Sequence, residues 1–161
     1  MAKENESHAL RQRLISAMEG KESHLDFDSA VSDFPVEFAG AKPHGAPHSA
    51  WELLEHLRIA QRDILEFSRD PADYKEMEWP DDYWPNSSSP PGEEAWNRSV
   101  EAFKSDRAEL ERMVSDAKRD LFKPFAHGNG QTLIREALVL ANHNSYHLGQ
   151  LVFLKKMLTA K

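Results

Sequence analysis

The length, composition and charge of the chain limit the kinds of protein it can be. At 161 residues, with 40% hydrophobic and 29% charged residues, it suits a single globular domain over residues 1–161 and is short for two. A formal charge of −7 disfavours binding to nucleic acid or to an anionic membrane, and zero cysteines exclude disulfides, thiolate metal ligands and a cysteine nucleophile.

The N-terminal part of the chain predicts one long helix followed by two short helical pieces. Apolar residues recur at helical spacing over residues 5–19: Leu10, Leu14, Ile15 and Met18. Gly20 then ends this helix. Three prolines and two glycines interrupt residues 23–48, so we expect only short helices at 27–31 and 36–39, followed by a loop.

A capping box predicts the start of the next helix. The Ser49 hydroxyl and the Glu52 carboxylate have the spacing that satisfies free backbone amides at a helix start, and the predicted helix runs to about Ser68. Its apolar residues form one stripe: Ala50, Leu53, Leu54, Leu57, Ala60 and Ile64. His56 lies on the flank of this stripe, where it can face a cleft between helices.

Residues 70–92 are predicted to form a long crossover between helices. The segment contains five prolines and three consecutive serines, together with four aromatic residues: Tyr74, Trp79, Tyr83 and Trp84. Disordered linkers are poor in aromatic residues, so we expect an ordered segment that packs on the helices and shapes access to a site.

Two further helices are predicted in the C-terminal half. The first covers residues 93–116, with apolar contacts at Trp96, Val100, Phe103, Leu110 and Val114. Residues 120–130 are expected to be irregular or a short hairpin. The last helix runs from about Thr132 to Leu158, and one of its faces carries Glu136, Val139, Leu140, His143, His147, Gln150 and Leu154. The two histidines therefore point inward with the leucines.

Three of the eight histidines suggest a metal site. His143 and His147 are four residues apart, which on a helix places both imidazoles on one face, one turn apart. With His56 from another helix, they can provide three neutral ligands to one divalent cation and leave its other positions open. The pair alone is weak evidence, because histidines four apart are common and a core histidine usually has an ordinary hydrogen bond.

The other histidines are weaker candidates. His44 and His48 have the same spacing, but three neighbouring prolines and glycines prevent the helix that would align them, so we reject them as a site. His8, His24 and His127 lie near predicted helix ends or loops and are expected to be solvated. The last helix also lacks the Glu that follows the first His in metalloproteases.

Three segments together resemble the DinB-like superfamily, which includes the YfiT-like proteins. They are Ser49-Ala-Trp-Glu-Leu-Leu-Glu-His56-Leu, Gly-Gln131-Thr132-Leu-Ile-Arg-Glu136-Ala and His143-Asn-Ser-Tyr-His147-Leu-Gly149-Gln150-Leu. The resemblance in order and spacing extends over nearly the whole chain. It implies an all-α fold, an antiparallel four-helix bundle with left-handed topology and a long crossover, and frequent dimerisation. Members often have a further His just before the last ligand, where this chain has Tyr146.

The resemblance also implies a metal site and two kinds of function. His56, His143 and His147 match the ligand positions of the family one by one. Some relatives are thiol-dependent transferases or isomerases, others are described as hydrolases, and many have no established activity. The expected cofactor is a divalent metal ion, Zn²⁺ or Ni²⁺ first, with copper and iron left open because an all-imidazole site does not choose among them.

Two classes of function therefore remain. In the first, a metal-dependent hydrolase or thiol transferase activates water or a thiol, and its partner is a small molecule such as a low-molecular-weight thiol. In the second, the metal only stabilises a non-catalytic binding or stress-response module. No catalytic residue beyond the three ligands is identified. We expect a cytoplasmic protein, since no apolar run approaches the roughly 18 residues that span a bilayer. The family resemblance and the number of aromatic residues lead us to expect a homodimer.

Overall fold

The computed structural model describes residues 2–69 and 74–160, and within these ranges the chain is helical without strands. The five helices of the described part of the chain are α1 (Ala2–Glu19), α2 (Phe27–Val31), α3 (Ala50–Arg69), α4 (Glu93–Ser115) and α5 (Leu133–Thr159). Single 3-10 turns cover Val36–Phe38 and Asp81–Tyr83. The predicted all-α fold is confirmed, and the predicted helix boundaries agree within a few residues. Residues 120–130 contain no hairpin, only an isolated bridge between Pro124 and Thr132 at their end.

Polar side chains start α3 and α5 as their sequences predict. The Glu52 amide donates to the Ser49 hydroxyl at 3.1 Å, and the Ser49 amide donates to the Glu52 carboxylate at 2.7 Å. These two bonds confirm the capping box. At the start of α5, the Thr132 hydroxyl accepts a hydrogen bond from the Arg135 amide. Both caps fix where the two histidine-bearing helices begin.

The four long helices pack in a ring in which α1 contacts α4 and α5, and α3 contacts the same two helices. Helices α3 and α5 are antiparallel, because His56 lies beside His147 while Asp63, further along α3, lies near Glu136. Helices α3 and α4 run in the same direction, because Arg62 of α3 pairs with Asp106 and Arg69 pairs with Glu109. A short loop cannot join two neighbouring parallel helices, and residues 70–92 provide the long connection.

The crossover is anchored where it returns to the start of α4. The Ser49 hydroxyl donates to the Ser88 carbonyl at 2.6 Å. The backbone of Gly40 lies so close to Ser89 that an added Cβ would be 1.9 Å from the Ser89 hydroxyl oxygen. These contacts agree with the prediction of an ordered segment over residues 74–92, whereas residues 70–73 lie outside the described part of the chain.

Two apolar clusters form the core, with a polar layer between them. One cluster includes Leu57 of α3 and Leu148 of α5, and the other includes Leu65 and Leu140 of the same two helices. The predicted apolar residues of α4 are all buried: Trp96, Val100, Phe103, Leu110 and Val114. Along α3 and α5, the histidines lie close to the junction of the two clusters. No helix in the described ranges combines the length and apolar character needed to cross a membrane.

Candidate metal centre

Three imidazoles meet in the groove between α3 and α5. The Nε2 atom of His56 lies 3.2 Å from that of His147 and 3.0 Å from that of His143. His56 is buried at 1% exposure, and the other two side chains are half-buried. In the described part of the chain, these three residues form the one cluster of three or more candidate metal ligands, with ligand atoms within 4.8 Å of one another.

The opposite ring nitrogens set the direction in which each imidazole can bind a ligand. Each Nδ1 lies against an oxygen atom: the Tyr83 carbonyl for His56 at 2.9 Å, Asn144 Oδ1 for His143 at 3.4 Å, and Gln150 Oε1 for His147 at 2.8 Å. A carbonyl or amide oxygen only accepts hydrogen bonds, so each Nδ1 carries the proton. The three Nε2 lone pairs then face one another.

This arrangement fits a metal ion. The Nε2 atoms of His143 and His147 lie 3.0 and 3.2 Å from that of His56, and their lone pairs repel one another unless a cation lies between them. Metal-bound histidines also characteristically donate their second N–H to an oxygen. Three imidazole ligands also suit zinc, nickel, copper or iron, and the donor set does not choose among these metals. The cluster is therefore compatible with a divalent metal site.

Burial keeps the three imidazoles in the state that binds metal. Burial lowers the pKa of His143 to about 4, with further lowering from the neighbouring His147 and His56. Burial also lowers the pKa of His56 and His147, against the opposing effects of their Nδ1 hydrogen bonds. All three rings are therefore neutral at pH 7, which leaves their Nε2 lone pairs available for a metal.

Trp84 from the crossover covers one side of the cluster. Its ring centroid lies 3.9 Å from that of His56 and 4.0 Å from that of His48, with both imidazoles nearly parallel to it. Two imidazoles cannot fit side by side on one indole face at these distances, so Trp84 lies between them. The expected contact of the crossover with the site is observed for Trp84. Trp79, in contrast, is 67% exposed and does not cover the cluster.

A hydrogen-bonded chain connects His143 to α4. Asn144, whose Oδ1 faces His143, donates through Nδ2 to Gln61 Oε1 at 3.2 Å. The buried Gln61 in turn donates to the Phe103 carbonyl at 2.6 Å. This polar chain lies between the two apolar clusters, and it fixes the orientation of Asn144 beside the site.

Sequence reasoning missed several residues that support the three histidines. The sequence predicts Gln150 on the inner face of α5, but the pattern of apolar residues does not predict its bond to His147. The signal for this bond is the position of Gln150 three residues after that histidine. Gln61, Asn144 and the Tyr83 carbonyl gave no signal, because their contacts depend on how the helices pack. Val139 was expected on the inner face and is 39% exposed.

The remaining histidines lie outside the cluster. His8, His24 and His44 are exposed, as expected for the first two. The expectation that His127 is solvated was wrong: its ring packs on Phe67 and its Nε2 bonds the Phe67 carbonyl at 2.9 Å. His48 does not join the three candidate ligands, although its ring covers the outer face of Trp84.

A second polar constellation lies two helical turns along the same groove. The hydroxyls of Tyr74 and Tyr83 donate to Asp63 at 3.1 and 2.7 Å, which ties the crossover to α3. Burial and the nearby Asp63 raise the pKa of Tyr74 to about 12, so its hydroxyl stays protonated at pH 7. Burial also raises the pKa of Glu136, which lies close to Asp63 and is paired with Arg135.

Comparison with known proteins identifies the family of this chain. The sequence model of the DinB superfamily matches residues 21–151, which include α3, α4 and all three histidines of the cluster. Comparison with curated proteins and with solved structures gave no significant match. The family match covers most of the chain and agrees with its all-helical structure. The chain therefore belongs to the DinB superfamily.

Proposed function

We propose that this protein is a metal-dependent enzyme that binds one divalent cation, Zn²⁺ or Ni²⁺, through His56, His143 and His147. The observation that supports this proposal most strongly is the convergence of three neutral imidazoles whose Nδ1 protons are all committed to oxygen acceptors. When bound, such a cation lowers the pKa of a coordinated water or thiol. The deprotonated group is then a nucleophile at neutral pH.

The number of ligands favours chemistry over a purely structural role. Structural zinc sites usually have four protein ligands, whereas catalytic sites have three and leave a position for water or substrate. Among the described residues, no fourth His, Asp or Glu joins the cluster. A non-catalytic module stabilised by metal is the alternative, and a saturated coordination shell in the purified protein would support it.

The surrounding residues have defined roles in this proposal. The Tyr83 carbonyl, Asn144 and Gln150 orient the three imidazoles through their Nδ1 atoms. Trp84 excludes water from the His56 side of the cluster.

The reaction class is hydrolysis or thiol transfer. A low-molecular-weight thiol is the expected partner if the reaction is thiol transfer. Addition of a thiol should accelerate turnover only if the protein is a transferase.

Metal analysis of protein purified without a His-tag tests the proposed ligands. His143→Ala should lose most of its bound metal, because two imidazoles remain from a site that needs three. His127→Ala is the matched control, since His127 is also half-buried and packs on aromatic rings outside the cluster. Elemental analysis after growth with zinc or nickel measures the metal content. Full metal content in His143→Ala would contradict the assignment.

We also propose that the protein forms a homodimer through α5. Four exposed apolar residues form an outer stripe on this helix: Leu138, Val139, Tyr146 and Phe153. The last three are seven residues apart, which is the spacing of a helix-to-helix seam. Gly149 lies among them, and no heavy atom of the described residues would be within 4 Å of an added Cβ, so a second helix can approach closely there. A second copy of α5 would bury this stripe symmetrically.

A further inference from the structure

A small apolar pocket lies between the 44–48 loop and the C-terminal part of α5. Its volume of about 240 Å³ is below the roughly 300–1,000 Å³ of pockets that bind drug-sized molecules. Apolar residues form most of its wall: Ala46, Pro47, Leu53, Phe153, Leu154 and Met157. A pocket of this size and lining fits a small alkyl or aryl group.

Two polar residues of this pocket also contact residues of the candidate metal centre. Gln150 lines the pocket and accepts the Nδ1 proton of His147, while its amide nitrogen has no hydrogen-bond partner among the described residues. His48 also lines the pocket, and its ring lies on Trp84, which covers His56. The ring nitrogens of His48 make no hydrogen bond within the described part of the chain. An apolar pocket with a few free polar groups is typical of a ligand site.

We infer that this pocket binds the apolar group of a substrate whose reacting group is held at the metal centre. This inference rests on the proposed function. The substrate class is a small neutral molecule in which an alkyl or aryl group is joined to an oxygen-containing polar group. The free amide N–H groups of Gln150 donate to that oxygen, and the His48 imidazole provides a second hydrogen bond. His48 and Gln150 are thus specificity-determining residues.

Alkanethiols of increasing length test whether the pocket and the metal centre act together. Protein loaded with Co²⁺ is titrated with ethanethiol, butanethiol and hexanethiol, and the thiolate-to-cobalt absorption band measures binding. Each added methylene that enters the pocket should increase affinity about fourfold. Equal affinity for all three thiols in the wild-type protein would overturn the inference.

Two substitutions in the same loop region show whether the gain comes from this pocket. Ala46→Phe fills the pocket and should abolish the gain in affinity from ethanethiol to hexanethiol. Ala41→Phe is the matched control, because Ala41 is also half-buried but lines a different pocket near Pro90. We choose Ala46 rather than Phe153, since Phe153 also belongs to the outer stripe of α5. An undiminished chain-length effect in Ala46→Phe would contradict the inference.

A metal-free measurement separates this inference from the proposed function. In metal-free protein, 1-hexanol should shift the NMR signals of the Gln150 side-chain amide in the wild type and in Ala41→Phe, but not in Ala46→Phe. If hexanol shifts these signals while no thiol binds Co²⁺, the proposed chemistry fails and the pocket stands. If hexanol leaves the Gln150 amide signals of the wild type unchanged, the pocket assignment is wrong, whether or not thiols bind to the Co²⁺-loaded protein.

Discussion

At the scale of single residues, the candidate site depends on which nitrogen of each imidazole carries the proton. Gln150 provides the shortest of the three Nδ1 contacts, at 2.8 Å from His147. Without this acceptor, the ring of His147 could rotate or change tautomer, and its Nε2 lone pair would no longer be directed at the other two histidines. The three oxygen atoms that accept the Nδ1 protons are therefore as much a part of the candidate site as the three histidines.

Replacing the acceptor should weaken metal binding without removing a ligand. Gln150→Leu keeps the side-chain size but deletes the oxygen, so we expect metal affinity to fall about 10-fold to 100-fold. Competition with a chelator of known affinity measures this change. Gln12→Leu, on the exposed side of α1, is the control and should bind metal as the wild type does. Unchanged affinity in Gln150→Leu would show that the hydrogen bond does not orient His147.

Glu111 of α4 should reduce stability at neutral pH. Burial raises the pKa of its carboxyl although the Arg107 guanidinium lies 3.4 Å away. One carboxylate oxygen makes no hydrogen bond to any residue that the structure describes. The Glu111 carboxyl therefore keeps its proton in the folded protein at pH values where it has already lost it in the unfolded chain. As a result, the free energy of unfolding falls as pH rises from 4.5 through the raised pKa.

The substitution Glu111→Gln tests this effect because glutamine is neutral at every pH. The variant should be more stable than the wild type at pH 7, and its advantage should shrink below pH 4.5. Urea unfolding at pH 7 and pH 4 measures the difference. Glu94→Gln, at a fully solvated position, should show no such gain. A Glu111→Gln variant that is less stable at pH 7 would mean that the ion pair with Arg107 outweighs burial.

At the scale of elements, the crossover is both a connection and a cover. It must be long because α3 and α4 lie side by side and run in the same direction. On its way back it donates two tyrosine hydroxyls to Asp63, and it stacks Trp84 on His56. The same segment that returns the chain to α4 thus controls one side of the candidate metal site.

Removing the indole of Trp84 should change access to the metal more than metal content. In Trp84→Ala, we expect near-normal metal content and a severalfold change in the affinity of imidazole for the Co²⁺-loaded protein. Trp79→Ala is the matched control from the same segment, since Trp79 is largely exposed. Absorption titrations measure both variants. Identical imidazole affinity in wild type and Trp84→Ala would show that the indole does not shape access.

At the scale of the whole molecule, the outer stripe of α5 predicts the assembly state. Val139→Glu should place a charge in the proposed seam and weaken the dimer by tenfold or more, because a buried unpaired carboxylate is costly. Leu25→Glu is the control at another exposed apolar position. Sedimentation equilibrium at micromolar concentration measures the dissociation constant. A single species of about 18 kDa in the wild type would contradict the dimer itself.

The sequence by itself determined the helices and the three candidate ligands. Capping residues and apolar periodicity act within a few residues along the chain, so the starts of α3 and α5 could be located without a structure. The spacing of His143 and His147 likewise placed both on one face of a single helix. Their pairing with His56 was inferred from its place on the flank of the α3 stripe and from the family resemblance, and the convergence of the Nε2 atoms agrees with it.

Only the tertiary structure decided which groups surround those ligands. The Tyr83 carbonyl is 27 residues from His56, and Gln61 is 83 residues from Asn144, so no local pattern connects them. The same holds for Trp84 between His48 and His56, which requires both the crossover and the 44–48 loop to fold over α3. Contacts between distant segments depend on how helices pack and on which side a loop returns, and these are properties of the assembled core.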